Sequence, residues 1–389
     1  SDGQADKEVL TANLLDEFLF EMNLEVFERA KAFLSQSKLL FYKDGFKWTS
    51  VAKRENRLIA ILKSIKLNEK NDPYSFLEAK LLSEDHEDVK TAVFILGSMD
   101  NVEVLKRLML SMAKVEEAFI PCYYEGLRHC ISDKISRHIM DILPSVHETI
   151  QSVCLDILQY RQDYKPANSI KVKTKDKEIL GKSALLSFDP KSKSTAFAIS
   201  NLKPSSEVLL RQLISGNDKT AEIIEGLPLT PELIILYALT EDPDFTHISK
   251  AYETNNDEDI KRASILAAGV IGNSESLDFL IEAINDPLKD QSEKSLFMAL
   301  GESPEESSSI TWEEIKKRVL NGNERVRNGS VWNTNTLLFE IKNPLSTAFE
   351  RKTAWQEIMI EKGTYIPFEQ DWFTEKQNKA IGEIESCMR

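Results

Sequence analysis

The sequence predicts an all-α chain built as an α-solenoid of antiparallel helix pairs, with helical caps at the N- and C-terminal ends. Three observations predict it. Glycine and proline are sparse, at 14 and 13 of 389 residues, and leucine, isoleucine, glutamate and lysine dominate, so helix is favoured wherever no other signal decides. Residues 259 to 287, DIKRASILAAGVIGNSESLDFLIEAINDP, read as two amphipathic helices. The same design returns at residues 87 to 113, EDVKTAVFILGSMDNVEVLKRLMLSMA.

In the first of these stretches Ile260, Ala263, Ser264, Ala267, Ala268 and Ile271 share one helical face, large at its ends and small in its middle, which lets another helix approach closely. After the turn Gly272-Asn273-Ser274, Leu277, Leu280, Ile281 and Ile284 line a second helix that Pro287 ends. In the upstream copy Val89, Ala92, Val93, Leu96 and Gly97 line the first helix, and Leu105, Leu108, Met109 and Met112 the second. Leu96-Gly97 align without a gap on Ala268-Gly269, and ALGESPEE from Ala299 begins a weaker third copy. Such a pair cannot close a core alone, and stacking on its neighbours buries its face. These residues resemble the HEAT repeat in its short bacterial form, roughly V-R-x-A-A-x-x-L-G-x-x-G-x-x-x-A-L.

Elsewhere apolar periodicity predicts helices near 8 to 22, 25 to 36, 49 to 66, 73 to 83, 117 to 131, 145 to 161, 177 to 187, 205 to 214 and 231 to 240. The lysine-rich stretch from Arg161, RQDYKPANSIKVKTKDKE, breaks the pattern and marks the best internal boundary. The chain is therefore divided into an N-terminal helical region, 1–70, a first HEAT-like segment, 71–162, a linker with a second HEAT-like segment, 163–303, and a tryptophan-rich C-terminal module, 304–389.

A net charge of −14 repels a phosphate backbone, because nucleic-acid binding is driven largely by Lys and Arg replacing counterions. Only Lys165, Lys171, Lys173, Lys175 and Lys177, converging with others, would supply a basic patch. No nucleic-acid partner is expected. No window reaches the ~18 apolar residues of a membrane span, so no membrane insertion is expected either. The first residues, SDGQADKEVL, have neither the basic nor the apolar region of a secretory leader, although the chain begins at Ser1, so a removed leader stays open. Four cysteines without a CxxC pair fit free thiols in a reducing compartment, and the expected location is cytoplasmic.

Catalytic motifs find no foothold. Gly181-Lys182-Ser183 resembles the tail of a phosphate-binding loop, but Asp176 stands where the loop requires glycine. His147-Glu148 begins a zinc-protease pattern that Gln151 ends. Cys122, His129, Cys130, His138, His147 and Cys154 crowd together, yet only His129 and Cys130 are close and the rest sit about nine residues apart on successive helices, unlike the pairs of zinc sites. A non-enzymatic protein without cofactor or metal is expected.

Trp312, Trp332, Trp355 and Trp372 fall among Arg318, Arg325, Arg327 and Arg351. Tryptophan and arginine are enriched at binding hot spots, and tryptophan also anchors terminal caps. The order TWEEIKKRV, RVRNGSVWN, LLFEI and ERKTAWQEIMIEKGTYIPFEQDWFTEKQ, together with RAKAFLSQSKLLF, Trp48-Thr49 and ENRLIAILKSI near the start, is similar to a bacterial HEAT-repeat family associated with type VI secretion gene clusters. Trp312, Arg327, Gly329, Arg351, Ala354, Glu357, Pro367-Phe368, Trp372 and Gln377 are the matching C-terminal positions. Ser35 replaces a family tryptophan, and Ile61-Leu62-Lys63-Ser64 replaces a His-Leu-Asp-Gly run.

The resemblance implies a protein-binding scaffold or adaptor, an accessory of a type VI secretion system, whose partners are secretion-system components or effectors. Arg325, Arg327, Trp332, Arg351, Trp355 and Trp372 are the candidate partner contacts. On that expectation, exchanging Arg327 and Arg351 for glutamate abolishes partner recovery and leaves the thermal melt unchanged. An immunity protein or effector chaperone covering a basic partner is the first alternative. A HEAT-like DNA glycosylase, disfavoured by charge, is the second, and a salt titration of DNA binding would reveal it. Partner identity, the binding face and oligomeric state are left open by the sequence.

Overall fold

The computed structural model describes residues 2–40, 45–67, 73–163, 170, 172–305 and 309–389, with side chains described from residue 14 onward and not at 37–40, 66, 67 and 73. Among the described residues the chain forms 21 α-helices and one two-stranded hairpin, an all-α protein of stacked helix pairs. None of these helices is long and apolar enough to cross a membrane. The chain divides into two compact units, Ser1–Ser187 with Asp371–Lys376, and Phe188–Gln370 with Gln377–Arg389.

In the first unit α1 (Asp2–Leu40) is followed by α2 (Ala52–Leu67), α3 (Pro73–Lys80), α4 (His86–Gly97), α5 (Val102–Ala113), α6 (Ile120–Arg128), α7 (Lys134–Ile142), α8 (Glu148–Arg161) and α9 (Lys177–Leu186). The expected helices 8–22 and 25–36 are one continuous helix. Only Asn23 and Leu24 separate them, and with no glycine or proline between them nothing breaks the hydrogen-bond ladder. α4, α6, α8 and α9 pack side by side, α1 and α3 lie against α4, and α5 and α7 form the outer layer. Gly126 on α6 is where α4 comes closest, since a Cβ there would lie 2.8 Å from the Lys90 carbonyl oxygen. Arg161, buried at the end of α8, donates to the carbonyls of Leu127 at 3.0 Å, Cys130 at 2.7 Å and Ser132 at 2.8 Å, satisfying the open C-terminal end of α6.

The second unit holds α10 (Lys193–Ser200), α11 (Ser206–Ile214), α12 (Thr220–Glu225), α13 (Pro231–Ala238), α14 (Phe245–Thr254), α15 (Glu258–Ile271), α16 (Ser274–Ala283), α17 (Lys289–Leu300), α18 (Trp312–Val319), strands β1 (Val326–Arg327) and β2 (Ser330–Val331), α19 (Thr334–Lys342), α20 (Ala348–Lys362) and most of α21 (Thr374–Met388). α11, α13, α15 and α17 pack in succession as the inner layer, with α14, α16 and α18 outside them. The small face predicted for 263–271 is the inner contact: Ala263, Ala267 and Ala268 are buried, and Gly269 meets α17 so closely that a Cβ would sit 2.8 Å from Met298 Cε and 3.0 Å from Ser295 Cβ. Asn273 caps α16 in a reciprocal box with Ser276.

Candidate functional site

The hairpin decides what the C-terminal arginines do. Asn328 and Gly329 both have positive φ, +50° and +72°, the two-residue turn that matches strand twist and that Asn-Gly adopts readily. Val326 pairs with Val331, and Arg327 with Ser330. The hairpin is held to the inner layer by backbone bonds: Val326 N–H to the Gly272 carbonyl at 2.9 Å, Asn328 N–H to Met298 at 2.9 Å and Gly329 N–H to Ala299 at 3.0 Å.

Arg325 and Arg327, two residues apart in extended chain, therefore point the same way. Arg325 donates to the carbonyls of Ile271 at 2.9 Å and Val270 at 3.2 Å, and Arg327 to Val270 at 3.1 Å, so both guanidiniums satisfy the C-terminal end of α15, where positive charge is favoured. Arg327 also binds Glu340 of α19 at 2.6 Å and Glu357 of α20 at 2.8 Å. Glu357 accepts further from Arg325 and from the Trp332 indole, each at 3.0 Å, and the Arg325 guanidinium sits 4.6 Å from the Trp332 ring centre.

Burial pulls Arg327 down, but the Glu340 and Glu357 carboxylates outweigh it and hold the guanidinium above its ordinary value. Burial pulls Arg325 below its ordinary value, with Glu357 opposing. Burial pushes Glu340 up to about 7; Arg327 opposes this, while Glu350 and Glu357 add to it. Glu340 Oε1 is buried with no hydrogen-bond partner. Two cations, two carboxylates and the α15 carbonyls thus largely compensate one another, the arrangement of an internal brace.

The six candidate contacts separate accordingly. Arg327, Arg351, Trp355 and Trp372 are buried, at no more than 5% exposure. Arg351 donates to the Ile341 carbonyl at 2.9 Å, and burial lowers its guanidinium to about 9. Trp355 donates to the Ile366 carbonyl at 2.8 Å. Trp372, in the first unit, donates to the Tyr160 carbonyl at 3.0 Å with Lys376 over its ring. Arg325 and Trp332 line a surface cavity.

That cavity, about 720 Å³, lies where α11 and α13 end: Asn217 and Asp218 follow α11, Glu241 and Asp242 follow α13, and α20 contributes Glu357, Ile360 and Glu361. A second depression of about 500 Å³ is lined by the opening turns of the same inner helices, through Glu207, Glu232 and Asp259, and by Phe349 and Lys352 of α20. The inner helices thus run in one direction, and α20, packed on α11, borders both hollows. Asp218, Glu241, Asp242 and Glu361 are exposed. Carboxylates beside helix C-termini add to the negative end of each dipole, so this cavity is electronegative and suits a cation.

The remaining sequence candidates are dispersed. Gly181-Lys182-Ser183 lies inside α9, with Lys182 bound to Ser152 at 2.7 Å and Asp156 at 2.8 Å. Cys122, Cys130 and Cys154 are core residues. Among the described residues no three His, Cys, Asp or Glu side chains are grouped to hold a metal ion. Of the lysines of the possible basic patch, Lys165 and Lys171 lie outside the described residues. The Asn328-Gly329 pair is the signal by which the hairpin was findable. Nothing local marks Glu340, Asp218, Glu241 or Asp242, which owe their roles to chain folding alone. Comparison with known protein families, curated proteins and solved structures returns no match to this chain.

Proposed function

We propose that this chain is a non-enzymatic helical-repeat scaffold that binds another protein, as an accessory or adaptor of a type VI secretion system. The observation that carries the binding role is the cavity of about 720 Å³, where Asp218, Glu241, Asp242 and Glu361 crowd the ends of stacked helices beside the Arg325–Trp332 wall. A lysine or arginine of a partner entering there neutralises carboxylates that the helix dipoles disfavour, and its stem packs on the indole. The secretion assignment rests on the sequence resemblance.

The test is affinity purification from the native host with the wild-type chain and with Glu241→Lys/Asp242→Lys. Both positions are exposed, so the variant keeps its melting temperature and loses the partner. Equal recovery by both chains would refute this site. Recovery of a secretion-apparatus component supports the adaptor role. The acidic cavity equally suits an immunity protein or effector chaperone, and recovery of one small basic protein in place of an apparatus component selects that reading.

A further inference from the structure

α1 carries a second surface, in the first unit and independent of the cavity. Its later turns are clasped: Val26, Phe27, Ala30 and Leu34 are buried in the core shared with α2 and α4. One turn and more before them, on the same helix, Leu14, Leu15 and Phe18 stand 60%, 52% and 57% exposed, while Phe20 packs edge-on against Phe76. Leu14 and Phe18 are one turn apart, with Leu15 and Met22 alongside, so they form a continuous apolar face. Glu17, Glu21 and Glu25 follow one another at four-residue spacing along its border, and residues 14 to 28 hold five acids and no lysine or arginine.

We propose that this face of α1 is a docking surface for a basic amphipathic helix of another protein. An amphipathic helix laid on apolar anchors is a common mode of recognition, and the charge decides the occupant. A second copy of α1 would set like carboxylates against each other, and an anionic lipid surface would repel them. Acids one turn apart also disfavour the helix itself. Lysines or arginines flanking an apolar stripe relieve that repulsion and cover Leu14, Leu15 and Phe18 at once.

The experiment titrates the full chain into a labelled lysine–leucine peptide of amphipathic spacing, and into a scrambled peptide of the same composition, by fluorescence anisotropy. The amphipathic peptide binds, more weakly as salt rises, and the scrambled one binds at least about tenfold less. Leu14→Gln/Phe18→Gln also loses about tenfold or more while its circular dichroism and melt stay unchanged, since both side chains are exposed. Glu241→Lys/Asp242→Lys binds the peptide as the wild type does, so failure here and failure of the cavity are separate results. Equal affinity for the scrambled peptide, no loss in the α1 double variant, or a concentration-dependent dimer abolished by Phe18→Gln would each overturn the proposal.

Discussion

Arg327 and Glu357, 30 residues apart in sequence, lie 2.8 Å apart with both side chains withdrawn from solvent. Breaking a buried pair by removing one partner leaves the other charge uncompensated, at a cost of about 3–5 kcal/mol. Arg327→Ala is therefore expected to lower the unfolding free energy by about that amount in a urea titration. The paired change of Arg327 and Arg351 to glutamate, expected from the sequence to spare the melt, instead places new carboxylates in the interior and unfolds the second unit. Lost partner recovery in that variant would report unfolding, whereas Glu241 and Asp242 give a clean reading.

Gly269 is tighter than helix propensity alone would prefer. Alanine there gains about 1 kcal/mol of propensity, but its Cβ would meet Met298 Cε at 2.8 Å and Ser295 Cβ at 3.0 Å. Overpacking of this kind costs about 1–3 kcal/mol, so Gly269→Ala is net destabilising and Gly269→Leu more so. A thermal melt of either variant at or above wild type would contradict the close packing of α15 on α17.

Glu340 gives a signed pH dependence. Its folded value is raised from 4.5 to about 7, so between those limits the folded chain holds a proton that the unfolded chain releases. Its contribution to stability is thus complete below about pH 4.5 and fades as the pH rises through 7. Urea midpoints should fall across that window in the wild type and fall less steeply in Glu340→Gln, which keeps the shape and cannot titrate. Parallel slopes would show that Glu340 does not titrate as its burial requires.

The hairpin turn separates conformation from contact. Asn328→Gly keeps positive φ accessible and should shift stability by less than about 0.5 kcal/mol. Gly329→Ala meets both a φ of +72° and the Leu300 carbonyl oxygen at 2.7 Å, and should cost about 1–3 kcal/mol. Similar melts for the two variants would mean that the hairpin is not pinned to α17.

Thiol chemistry reports on the core. Burial raises Cys130 and Cys154 to about 12 and Cys122 above its ordinary value, while Cys387 is exposed. A disulfide reagent should modify Cys387 in the native chain and reach Cys130 and Cys154 only after denaturation. Native labelling of Cys154 would require local opening of α8.

The amino-acid order by itself determined the helix pairs and the lean inner face, because alanine and glycine at 263–269 and leucine at 277–284 repeat with the helical period and need no distant partner to be read. Asn328-Gly329 encoded its turn just as locally. Tertiary structure alone decided which charges face inward. Arg327 is an arginine like any other until Glu340, Glu357 and the Val270 carbonyl surround it, and Asp218, Glu241 and Asp242 become one electronegative wall only when α11 and α13 stack. The reason is range: periodicity is written between neighbours on one helix, whereas burial and electrostatic pairing depend on residues that only the packed chain brings together.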